Sequence, residues 1–135
     1  MSRYFFNEGS FESIGAGMDD PTIHVLHFAE GVRLFVDRKA VRRGATPRDL
    51  AIARNAHEGR MLPRFTILDT RDAEATSDVA AFFRDGEELV YQLRRHFVHP
   101  PTAYTFTLRG QMADREKLDA WMASIFASLR FRPDA

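Results

Sequence analysis

The last quarter of this sequence constrains the fold more than any other stretch. From Leu118 onward, apolar side chains recur at Trp121, Met122, Ile125, Phe126 and Leu129, the three-and-four spacing that places them on one face of a helix. Asp114 stands where an N-cap belongs, and Glu116 falls in the first turn, where a negative charge meets the exposed amides. So wide an apolar stripe must be buried against another layer. In the rest of the chain the periodicity is mostly two, which makes that layer a sheet.

The strands read off in hairpin order. Tyr4 to Phe6 and Phe11 to Ile14 flank the turn Asn7-Glu8-Gly9-Ser10, and residues 22–28 and 32–38 are joined through Ala29-Glu30-Gly31. Arg64 to Arg71, Val79 to Arg84, Leu89 to Val98 and Thr102 to Leu108 follow, with turn signals at Asp85-Gly86 and Pro100-Pro101. Between them, Thr46-Pro47-Arg48-Asp49 starts a helix with an N-cap, a proline at the first position and an acid at the third. That helix is expected to run to about Glu58 and stop near Gly59, with only Leu50, Ile52, Ala53 and Ala56 as an apolar stripe. The pattern predicts a single α+β domain over residues 1–135: a mainly antiparallel, curved sheet with the helices packed on one face.

Composition narrows the function. The 19 basic and 19 acidic residues cancel, so no global field attracts nucleic acid or an acidic membrane surface. The Arg42-Arg43 and Arg94-Arg95 pairs then read as solvated strand ends. There is no cysteine, which excludes disulfides, thiolate metal sites and a cysteine nucleophile. The opening MSRYFFNEGSFES lacks a secretory apolar run, and nothing approaches the roughly 20 apolar residues that span a bilayer. A cytoplasmic protein without membrane insertion is the expectation.

No catalytic set emerges. His24-x-x-His27 and His96-x-x-His99 have ligand-like spacing, but an odd separation on a strand sends the two rings to opposite faces. His57 and Glu58 are adjacent on a helix and do not face one another. The serines sit in no G-x-S-x-G elbow, the glycines form no phosphate loop, and Asp69, Asp72 and Glu74 lie in a charged stretch. Neither an enzyme, a cofactor nor a metal is expected.

The stretch PTIHVLHF, residues 21–28, carries apolar residues on both faces. Leu26 and Phe28 would face the core beneath the C-terminal helix, whereas Ile23, Val25 and His27 share the other face. Alternation on the strand after Asp85-Gly86 adds Leu89, Tyr91 and Leu93 to that second face. A concave apolar sheet face without its own cover marks a partner site, or is closed by the short helix, the N-terminal segment or a second subunit.

The residues Tyr4-Phe5-Phe6-Asn7-Glu8-Gly9-Ser10-Phe11-Glu12 and then Asp20-Pro21-Thr22-Ile23-His24-Val25-Leu26 resemble the start of the DUF1795 family. The resemblance continues through Met61-Leu62-Pro63-Arg64-Phe65, the Asp85-Gly86 hairpin and the amphipathic C-terminal helix. It implies a Mog1/PsbP-like fold and, in the Eag branch, a homodimeric chaperone. Such chaperones bind the N-terminal transmembrane segments of PAAR-containing type VI secretion effectors before loading on the secretion spike. Carried over to this chain, the resemblance implies a client groove of Ile23, Val25, Leu89 and Leu93, with Ala56 and Leu62 from the short helix. His24 stands where the family often has asparagine. The glutamine that the family brings to the groove would be Gln92, which the simplest register places on the face opposite Leu89 and Leu93. The other reading is a generic interaction or structural domain whose second face is closed by its own dimer.

Overall fold

A computed structural model describes residues 2–6, 9–13, 18–20, 25–99 and 101–131. In chain order the elements are β1 (Ser2–Phe6), β2 (Gly9–Ser13), β3 (Met18–Asp20), β4 (Val25–His27), β5 (Arg33–Ala40), α1 (Pro47–Met61) and β6 (Thr66–Asp72). They continue with β7 (Thr76–Asp85), β8 (Glu88–His99), β9 (Thr102–Gln111), α2 (Arg115–Ser128) and β10 (Arg130–Phe131). A seven-stranded sheet has the order β3-β4-β5-β9-β8-β7-β6, and a three-stranded sheet the order β1-β2-β10. Every recorded pairing is antiparallel. The α+β class and the antiparallel sheet are as the sequence predicts. Expected strands 22–28 and 32–38 form the hairpin β4-β5, with Val25 opposite Phe35 and Leu26 opposite Leu34. Residues 14–17 and 21–24, including Ile23 and His24, lie outside the described residues.

The α2 stripe is buried. Leu118, Trp121, Met122 and Ile125 pack with Leu26, Phe28, Leu34, Tyr104, Phe106 and Leu108 in the core cluster. Phe28 meets Trp121 edge to face at 5.0 Å. Phe11 of β2 meets Phe106 at 6.0 Å, tying the small sheet to the same core. Asp114, in contrast to its expected role, makes no side-chain cap bond. It ends a 3-10 turn, Met112–Asp114, so its backbone lacks the extended conformation from which a cap reaches back to the helix amides.

Helix α1 starts as predicted: Asp49 N donates to Thr46 Oγ1 at 3.1 Å and Thr46 N to Asp49 Oδ2 at 3.4 Å, a capping box. It runs past Gly59 to Met61 and stops because Leu62 precedes Pro63, which holds Leu62 extended (φ −102°, ψ 127°). The two helices do not share a face. Along β8, Tyr91 bonds to Asp119 of α2 while Gln92 bonds to Glu58 of α1. Side chains alternate between faces, so α1 and α2 sandwich the sheet. The expectation of both helices on one face is corrected, because the polar set of β8 that reads as solvent-facing is covered by α1.

Candidate partner-binding groove

The residues expected to line one groove divide between the two faces. Register places Val25, Phe35, Thr107, Arg94 and Val79 in one row across β4, β5, β9, β8 and β7, and His27, Arg33, Arg109, Gln92 and Ala81 in another row on that same face. This is the α1 face. Tyr91 belongs to the core beneath α2, Leu93 packs against that core, and Leu89, 39 % exposed, shares their face. The assignment of Leu89, Tyr91 and Leu93 to the Val25 face is therefore a correction; the sheet separates them. The same register brings Gln92 onto the Val25 face, contrary to the simplest reading of the sequence. Val25 is buried and His27 exposed, Ala56 lies exposed on α1, and Leu62 is half-buried at the α1 C-cap.

Polar and charged side chains dominate the centre of the α1 face. The buried Glu58 carboxylate accepts from Gln92 Nε2 and pairs with Arg94 Nη2, both at 2.9 Å, and with Arg109 Nη2 at 3.3 Å. Gln92 Oε1 accepts from Arg109 Nε at 2.7 Å, and Asn55 Oδ1 accepts from Arg94 Nη2 at 2.5 Å. Burial holds the Arg94 and Arg109 guanidiniums below their ordinary range, with Glu58 opposing that shift in both. Arginine has donors and no acceptor, so Arg94 Nη1 donates to His96 Nε2 at 2.7 Å. His96 Nδ1–H then donates to Thr105 Oγ1 at 2.8 Å. Burial first, and the Arg94 charge second, push the His96 imidazole down to about 3. The network orients side chains and has no open coordination; among the described residues, no three His, Asp or Glu side chains gather as metal ligands. Arg94 Nε and Thr107 Oγ1, on residues paired across β8 and β9, are buried without a hydrogen-bond partner.

Beside the network lies a groove. Helix α1 packs on β6, β7 and β8 and reaches β5 and β9 through long side chains, Arg54 to Asp37 at 2.8 Å and Glu58 to Arg109. Beyond it the same face opens into a cavity of about 360 Å3 between Leu50, Ala53, Arg54 and His57 of α1 and Asp37, His96 and Thr105 of the sheet. Phe35, half-buried, stands in the next row of the same face, in register with the buried Thr107. On the opposite face, a second groove of about 420 Å3 runs along α2, between Met122, Ala123 and Phe126 and Leu68, Ala80 and Leu93 of the sheet. Sequence reasoning missed Glu58, Arg94 and Arg109. Their signal was the polar alternation Gln92, Arg94, His96 on a central strand, which demands buried partners rather than solvent.

No protein-family description matches the chain, and no curated protein matches it. Solved structures do. CyanoP, the PsbP of the cyanobacterium Synechocystis sp. PCC 6803, superposes with a TM-score of 0.71 at 13 % identity, over 97 % of this chain and 92 % of its own. PA94 of Pseudomonas aeruginosa, a protein of unknown function, gives 0.70 at 15 % identity over 98 % of both chains. The fold is Mog1/PsbP-like. LpqN of Mycobacterium tuberculosis, involved in cell envelope biogenesis, gives 0.61 at 10 % identity over 93 % of this chain and 71 % of its own. At these identities the likeness establishes the PsbP-like fold and carries no function with it.

Proposed function

We propose that this protein is a non-enzymatic adaptor that holds an apolar helical segment of a partner in the groove beside α1. In its finer form, the proposal is a cytoplasmic, homodimeric chaperone for the N-terminal transmembrane segment of a PAAR-containing type VI secretion effector. The observation that carries it is the half-covered α1 face: α1 packs on β6–β8, and the remaining strands of that face carry a groove floored by sheet residues and walled by Leu50 and Ala53. A helix about 10 Å across matches the width of two strands about 4.8 Å apart. Small side chains such as Ala53 let a second helix approach α1 closely. The sequence resemblance supports the finer reading.

The test is co-expression with the N-terminal segment of a candidate effector, about 20 apolar residues per helix, followed by measurement of soluble complex. Wild-type protein is expected to keep the segment in solution. Ala53→Arg, an exposed groove-wall substitution, is expected to abolish capture while leaving the circular dichroism spectrum and unfolding midpoint unchanged. Undiminished capture by a folded Ala53→Arg protein overturns this seat.

A further inference from the structure

Two arginines stand directly opposite one another on this face. Arg33 of β5 pairs in register with Arg109 of β9, and both guanidiniums lie over the Phe35 ring, their Cζ atoms at 5.7 and 5.1 Å from its centroid. Arg109 also stacks on Phe83 at 5.1 Å. Like charges directly opposite across a sheet repel, and among the described residues the acids nearest them are already shared with other arginines. Glu58 serves Arg109 and Arg94 together, Asp37 is held by Arg54, and Arg33 makes no ion pair among the described residues. Arg33 is half-buried and the Arg109 side chain 21 % exposed, so both remain reachable from outside. Arg109 spends Nε on Gln92 and Nη2 on Glu58, which leaves its Nη1 and the Arg33 guanidinium as the donors open to an incoming carboxylate.

We propose that the Arg33–Arg109 pair is a receptor for a carboxylate, supplied by an aspartate or glutamate at the end of the partner's apolar helix. The inference rests on the adaptor reading and adds its selectivity: the half-buried Phe35 adjoins the arginines in the neighbouring row, so the anion arrives on an apolar body. Excess positive charge beside that apolar surface discriminates against an equally apolar helix without the acid.

The experiment compares two detergent-solubilised synthetic helices of about 20 apolar residues, identical but for one terminal Glu or Gln, titrated into the full chain. The Glu helix is expected to bind about tenfold more tightly at low salt, and added salt is expected to weaken the Glu helix alone. Arg33→Gln should erase the difference without changing affinity for the Gln helix, and Arg33→Lys should restore part of it. Equal binding of the two helices, or a Glu preference that survives Arg33→Gln, overturns the carboxylate receptor while leaving the groove standing. If neither helix binds, the groove reading falls and the receptor with it. Arg33-dependent sedimentation with phosphatidylglycerol vesicles, without the peptide preference, assigns the pair to a phospholipid surface and overturns the proposal.

Discussion

At the His96 imidazole both nitrogens are committed before any proton arrives: Nε2 accepts from Arg94 and Nδ1–H donates to Thr105. Burial first, and then the facing Arg94 guanidinium, disfavour a second proton and push the group down to about 3 from its ordinary 6.5. The consequence for stability has a definite sign. Between those values the unfolded chain binds a proton that the folded chain refuses, so stability falls as the pH is lowered through that window. From pH 7 to pH 5 this one residue is expected to cost about 2 kcal/mol. His96→Gln offers Arg94 an acceptor and Thr105 a donor without titrating. Urea unfolding at the two pH values should show a pH-dependent loss smaller by that amount in the variant, and equal losses would refute the assignment. Glu58 matters at the same scale because it is the one carboxylate shared by Arg94 and Arg109, and unpairing a buried charge costs about 3–5 kcal/mol.

Between β9 and α2 the fold leaves no space at Gly110. A Cβ built there would stand 2.7 Å from Leu118 Cδ1 and 2.9 Å from Cδ2, and Leu118 is 1 % exposed within the core, so its side chain has to repack against its core neighbours to make room. Gly110→Ala should destabilise by about 1–3 kcal/mol through overpacking, read as a lower urea midpoint with an unchanged slope; a neutral result would mean that α2 sits less firmly than the packing indicates. Elements of this kind were legible in the sequence because periodicity is a local property. The α2 stripe, the Thr46-Asp49 capping box and the β4-β5 hairpin could all be read from neighbouring residues. The short strands β3 and β10 could not, since three or two residues carry no period. Nor could the phase of β8 relative to β4. Period two says which residues of a strand share a face; with apolar residues on both faces of β4 it does not say which face that is. Tyr91 and Leu93 were thus grouped with Val25, when register joins them to the Leu26 side.

Across the whole molecule that misplaced phase becomes a physical question, because the sheet is a wall with a groove on each side. The α1 groove is lined by Leu50, Ala53 and Arg54 with Asp37 and His96, and the arginine pair lies farther along the same face, whereas the α2 groove offers Leu93, Met122 and Phe126 with Leu68 exposed at its lip. One client helix cannot occupy both, since the side chains of the two grooves project in opposite directions from a single layer. Ala123 is exposed on α2 and lines its groove, so Ala123→Arg obstructs that side as Ala53→Arg obstructs the other. The adaptor reading predicts that Ala123→Arg captures the apolar segment as wild type does, with soluble complex as the readout and light scattering on both variants reporting any change in oligomeric state. Loss of capture in Ala123→Arg together with retention in Ala53→Arg would move the seat to the α2 side, where Leu89, Tyr91 and Leu93 share a face. It would then be the sequence's grouping of those three with a client, rather than their grouping with Val25, that describes the protein.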